Sequence, residues 1–159
     1  MESSSATAEP LGVAYFAYGA NMAEAVMTSF CPGHRLIGTA ELPGHRLAFT
    51  RRSIRTGTGV ADVVPAPGGS VWGVLYELGD GDLEALDGKE GDGWAYERVP
   101  VMVRLAAEGP PVSAVTYRVR EPEPAEVTPS TEYLAGLIAA AHARGLPPAY
   151  TADLEARAG

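Results

Sequence analysis

Hydrophobic positions along the chain fall into short runs with two different periods. Val13 to Tyr18 is a continuous apolar and aromatic run that stops at Gly19 and gives way to a helix-forming segment, Met22 to Phe30, closed by Pro32-Gly33. Arg46 to Thr50, Gly59 to Val64 and Val71 to Leu78 read as strands separated by turns such as Pro65-Ala66-Pro67-Gly68-Gly69. Asp80 or Asp82 is placed to cap a short helix with Leu83 and Leu86 on its inner face and Gly88 at its end. Ala95 to Leu105 and Val112 to Val119 predict two more strands around Gly109-Pro110-Pro111, and Arg120 to Thr128 a Pro/Glu-rich loop. The strongest helical signal comes last. Ser130 caps a segment in which Leu134, Leu137, Ile138 and Ala141 follow the i, i+3, i+4, i+7 spacing, and Gly145 with Pro147-Pro148 stops it. Thr151 to Ala156 predicts a final short helix.

Consecutive strands without long helical crossovers point to an α+β domain with a curled, mixed or largely antiparallel sheet. The pentapeptide PGHRL occurs at Pro32 to Leu36 and again at Pro43 to Leu47, too short for a repeat architecture and read as two turn-to-strand entries. Residues 1–11 are acidic and Ser/Ala-rich and read as a disordered leader, with residues 12–159 as one domain. At 159 residues, 46% hydrophobic and 20% charged, that domain is long enough to bury a proper core.

The net charge of −8 argues against nucleic acid or an anionic membrane as partner, since both demand a basic surface. No apolar run approaches the roughly 20 residues needed to cross a bilayer. The start of the chain lacks the order of a signal peptide, and the single cysteine, Cys31, suits a reducing compartment. A cytoplasmic protein is therefore expected.

Chemistry concentrates in two places. A buried strand that enters a glycine turn and then a helix leaves backbone N–H groups unpaired and pointing one way. The stretch Gly19, Ala20, Asn21, Met22 is thus a candidate cradle for a carboxylate or an oxyanion. The second place is Leu86-Asp87-Gly88-Lys89-Glu90-Gly91, which on its own reads as a solvated loop with a Lys–Glu pair. Cys31 near His34 lacks an acidic partner and reads as a buried hydrophobe, and His34, His45 and His142 show no metal spacing. Arg46, Arg51, Arg52 and Arg55 read as a solvated strand edge and loop, the functional alternative being one arginine on a substrate carboxylate. Asn21 is placed either to cap the helix or to face a ligand.

Taken in order, these motifs resemble the γ-glutamylcyclotransferase family. Tyr15 to Met22, YFAYGANM, is similar to that family's YGSN signature, with Ala20 in place of serine. The Glu90 segment resembles its second signature, so the family's catalytic glutamate maps onto Glu90. Val71-Trp72-Gly73-Val74, the Pro129 to Tyr133 segment and the Gly145 to Tyr150 segment resemble further family motifs. The resemblance implies a small β-barrel with flanking helices and a substrate pocket that includes Tyr18, Gly19, Ala20, Asn21, Met22, Tyr96, Tyr117 and Tyr133. It implies no cofactor and no metal, a small-molecule γ-glutamyl substrate, and a homodimer. The implied reaction is attack of the substrate's own α-amine on its γ-carbonyl, releasing 5-oxoproline and an amine, with Glu90 as general acid and base. A protein of the same fold that binds without turnover, and one that removes a γ-glutamyl protecting group from a biosynthetic intermediate, are the alternatives.

Overall fold

The computed structural model describes residues 13–105 and 109–158. The leader expected over residues 1–11 lies outside the described residues. The apolar run at the start forms a short strand, β1 (Ala14–Ala17), buried along most of its length because it lies inside the barrel wall rather than at an edge. Two long strands follow, β2 (Arg35–Arg52) and β3 (Gly59–Glu77), and then β4 (Tyr96–Leu105) and β5 (Pro111–Val119). The strands close a barrel in the order β1-β3-β2-β4-β5. Among these five strands every pairing is antiparallel except the closure of β5 on β1, which is parallel at Tyr15 and Val115.

The β2–β3 ladder departs from the sequence pattern. Where three separate strands were expected, β2 and β3 run against each other from Arg35↔Glu77 to Arg52↔Gly59. The turn residues at Pro65 to Gly69 do not end a strand. Proline and glycine also interrupt β2 at Pro43-Gly44, opposite them, so the two strands bulge together, jump register between Pro43↔Ser70 and His45↔Pro65, and resume. The first PGHRL copy is a turn into β2, as expected; the second lies inside β2 at this bulge. Residues 35–42 form strand although Gly38 breaks their alternation, because the irregularity is absorbed as another register shift between Leu36 and Gly38.

Among the described residues four α-helices flank the barrel: α1 (Glu24–Phe30), α2 (Asp82–Glu90), α3 (Thr131–Ala143) and α4 (Pro148–Ala158). In α3 the hydroxyl of Ser130 accepts the Tyr133 N–H at 3.0 Å, and Leu134, Leu137 and Ala141 are buried, as the spacing predicts. The final helix is longer than expected because Pro148 occupies its first position, where the missing N–H costs nothing. Two boundaries of α2 differ from expectation. Neither Asp80 nor Asp82 is the N-cap: Gly81 holds that place, and Asp82 accepts the Gly79 N–H instead. Gly88 does not end the helix either. Gly91, at φ +69°, does so in a Schellman motif, with Asp92 N–H bonded to Asp87 O and Gly91 N–H to Gly88 O. Glu90 is therefore the last helical residue, held at a fixed stop.

Candidate active site

The glycine turn is built as a single 3₁₀ turn, Ala20–Met22, between β1 and α1. Its first hydrogen bond runs from Met22 N–H to Gly19 O at 3.0 Å and the next from Ala23 N–H to Ala20 O at 3.2 Å. The N–H groups of Ala20 and Asn21 therefore have no intrahelical partner, whereas that of Met22 is committed. Met22 also turns its side chain into the core, 1% exposed, and does not line the cavity. It drops out of the expected cradle for both reasons. The turn is buttressed from behind. The Tyr76 hydroxyl shares its proton between the carbonyls of Asn21 and Met22 at 3.0 and 2.9 Å, and Arg144 donates to Met22 O at 2.9 Å and to the Tyr76 hydroxyl at 3.1 Å.

Asn21 does not cap α1; its side chain connects the turn to Glu90. Its Nδ2 donates to the Tyr15 hydroxyl at 2.8 Å and to Glu90 Oε2 at 3.0 Å. A carboxylate only accepts, so the amide must present its nitrogen there. The cost is at the other end, where Asn21 Oδ1 is buried without a partner, a penalty of about 1–3 kcal/mol. Lys89 Nζ also meets Glu90 Oε2, at 3.2 Å, and neither contact uses Oε1. The helix that carries Glu90 is pinned three residues earlier. Asp87 accepts from the Tyr117 hydroxyl on β5 at 2.6 Å and from Arg98 on β4 at 2.6 Å.

Turn, helix end and barrel mouth enclose a cavity of about 320 Å³. Tyrosines dominate its wall, and Ala61 on β3 organises two of them. Tyr96 donates to Ala61 O at 2.9 Å, while Tyr133 accepts the Ala61 N–H at 3.0 Å and keeps its own O–H proton to offer. Tyr18 donates to Tyr117 O at 2.5 Å. Burial pushes the Tyr133 hydroxyl up to about 12, the Glu90 charge adding to it and the Ala61 N–H opposing it. Burial raises Tyr15, Tyr18, Tyr96 and Tyr117 as well, so these hydroxyls are neutral groups rather than bases. Next to Ala61, the buried Asp62 accepts from Val63 N–H, Val119 N–H and the Thr50 hydroxyl, tying the ends of β2 and β5 to β3.

Of the residues singled out in the sequence, Tyr18, Gly19, Ala20, Asn21, Glu90, Tyr96, Tyr117 and Tyr133 line this one cavity, and Met22 does not. Tyr117 presents only its ring, its hydroxyl being spent on Asp87. None of Arg46, Arg51, Arg52 and Arg55 lines it. Cys31 is buried, its thiol pushed up to about 11 by burial and by the charge of Asp82. The sequence reading missed Lys89 as a lining group, Tyr15 as a hydrogen-bonding partner, and Ala61 with Asp62. The signals were Lys89 beside Glu90, Tyr15 at the head of YFAYGANM, and Asp62 as a lone acid inside the apolar run Val60 to Val64.

A closed α+β barrel whose polar cavity brings one fixed carboxylate to a turn of free N–H groups has the build of a small-molecule enzyme. The AIG2-like family model matches residues 70–154. The bovine γ-glutamylcyclotransferase is 30% identical over 146 residues, covering 88% of this chain and 76% of that protein, and the human one is 29% identical over 147 residues, covering 89% and 77%. A solved structure of a γ-glutamyl cyclotransferase superposes with a TM-score of 0.83 at 28% identity, covering 91% of this chain and 86% of its own. The chain belongs to this AIG2-like, γ-glutamylcyclotransferase family of enzymes.

Proposed function

We propose that the protein converts a γ-glutamyl amine or γ-glutamyl amino acid to 5-oxoproline and the free amine. The observation that carries this reading is the Asn21–Glu90 contact, which sets a carboxylate beside the Ala20 and Asn21 N–H groups while leaving Oε1 open. Glu90 takes a proton from the substrate's α-ammonium, and the freed amine attacks the γ-carbonyl carbon. The new N–Cγ bond closes a five-membered lactam, and collapse of the tetrahedral oxyanion breaks the bond to the leaving nitrogen. Of the three protons on the α-ammonium, one stays on the lactam nitrogen and two leave with the amine, passing over the same carboxylate. The nucleophile comes from the substrate, so the protein's work is orientation, anion binding and proton transfer. Gly19, Ala20 and Asn21 hold the α-carboxylate or the γ-oxygen through backbone N–H groups. Tyr133 offers its hydroxyl proton, and Tyr18, Tyr96 and the ring of Tyr117 shape the wall. The buried thiol fits a reducing, cytoplasmic setting, and a homodimer is part of the same proposal.

A non-catalytic binder of the same fold is less well supported, because it has no use for an open carboxylate beside a carboxylate-bearing ligand. Incubation with a panel of γ-glutamyl amino acids and γ-glutamylamines, read as 5-oxoproline, tests the proposal. Lactam from at least one is expected, and Glu90→Gln should lower kcat by about 10²–10⁴-fold. No lactam from any of the panel would defeat the reaction; undiminished turnover in Glu90→Gln would defeat the role of Glu90.

A further inference from the structure

We infer that Lys89 is the residue that takes the substrate's α-carboxylate, and that the resting Lys89–Glu90 pair holds the place of the substrate's zwitterionic end. This rests on the cyclising reaction proposed above and adds to it which charged end of the substrate meets which group. Among the described residues that line the cavity, Lys89 is the only base and Glu90 the only acid. Their side chains are 22% and 16% exposed and meet at 3.2 Å. An α-amino acid end presents the complementary arrangement, an ammonium and a carboxylate on one carbon. When it enters, its ammonium faces Glu90 and its carboxylate faces Lys89, so one ion pair becomes two and no charge in the cavity is left unpaired.

Lys89 is free to make this exchange. An ammonium has three N–H donors, and only one is placed, on Glu90 Oε2. Its other contact is the face of the Phe30 ring, 5.2 Å away and 41% exposed, which steadies the ammonium without fixing it. Glu90 keeps a second partner on the same oxygen, Asn21 Nδ2, and so holds its place when Lys89 swings to the ligand. Drawing the ammonium away also removes a positive neighbour from the carboxylate that must then accept a proton. With the α-carboxylate on Lys89, the N–H groups of Ala20 and Asn21 are left for the γ-carbonyl oxygen, where negative charge develops.

The test compares γ-glutamyl-alanine with its analogue in which the glutamyl α-carboxylate is a carboxamide, measuring 5-oxoproline and 5-oxoprolinamide respectively. Wild-type protein should prefer the carboxylate by at least about 10-fold in kcat/KM. Lys89→Gln should lower kcat/KM on the carboxylate substrate by about 10–100-fold, chiefly through KM, and collapse the preference, the size expected for losing a hydrogen-bonded ion pair. Lys89→Arg should restore most of it. An intact preference in Lys89→Gln, or an equal fall in kcat on both substrates, overturns the inference and leaves Lys89 as a group that only orients Glu90. If wild-type protein forms no lactam from either compound or from the wider panel, the cyclising reaction itself fails and takes this inference with it. Thermal melting of each variant separates these outcomes from misfolding.

Discussion

Asn21→Asp changes one atom in the contact that joins the turn to Glu90, and its effect can be worked from the geometry. The side chain keeps its shape, but a donor nitrogen 3.0 Å from Glu90 Oε2 becomes an oxygen. Two carboxylates at that separation repel by about 5.5 kcal/mol at an effective dielectric near 20. Keeping one proton on the pair at pH 7 is cheaper. Relative to a glutamate in the unfolded chain, which releases its proton near pH 4.3, holding that proton costs about 1.36 kcal/mol for each of roughly 2.7 pH units, or about 3.7 kcal/mol. The pair therefore binds a proton in the folded state, and the variant should lose about 3–4 kcal/mol of stability at pH 7. The sign follows from linkage: the native variant holds a proton that the unfolded chain has released, so its stability falls as pH rises. Between about pH 5 and 7 the gap to wild type should widen by about 2.7 kcal/mol. Urea unfolding of both proteins at the two pH values measures it. A gap under about 1 kcal/mol at pH 7, or one that does not change with pH, would refute the Asn21–Glu90 contact and the amide orientation derived from it.

Three further outcomes follow from the same contacts. Burial raises the Asp62 carboxyl above its ordinary value, against the pull of the Val119 N–H, the Thr50 hydroxyl, the Val63 N–H and the Arg118 charge. A raised acid stabilises the fold only at low pH and loses that contribution as pH rises from about 3.9 through the folded value. Urea unfolding of Asp62→Asn, which does not titrate, should thus shift in the variant's favour between about pH 4 and 7, and a flat difference would count against the buried charge. Gly91→Ala puts a side chain at φ +69° with its Cβ 2.6 Å from the Trp94 ring, at a cost of about 1–2 kcal/mol and a Tm lower by about 2–8 °C; an unchanged melting curve would contradict the helix stop. Ala20→Ser should leave 5-oxoproline formation within about threefold of wild type, since the turn acts through backbone N–H groups that any side chain retains. A gain of tenfold or more would mean that the missing hydroxyl matters.

What could be read from the sequence was local. Ser130 and the Leu134–Ala141 spacing specify α3 because cap and stripe lie on one segment, and the abrupt end of an apolar run at Gly19 marks the turn. Features that depend on a partner strand were hidden. Pro65 to Gly69 reads as a strand end until Pro43-Gly44 is known to face it, and the mid-ladder bulge exists only as that pair. The end of α2 was misplaced because two glycines, Gly88 and Gly91, compete for it, and only Gly91 has a following residue whose N–H reaches back to Asp87. Within the site, residue types were legible while their hydrogen bonds were not. Nothing local says that Met22 N–H is spent inside its own turn, or that Lys89 and Glu90 meet inside a cavity rather than in solvent.

The buttress behind the turn has a consequence for how the protein is made. Gly19 to Asn21 are synthesised before their partners: the carbonyl of Met22 receives Arg144 from 122 residues further along, and the facing wall needs Tyr133. A chain still emerging from the ribosome can close much of its barrel before either residue is available. The pocket is therefore completed only after Arg144 has been made, and an intermediate that stops before Tyr133 lacks both the buttress and one wall of the cavity.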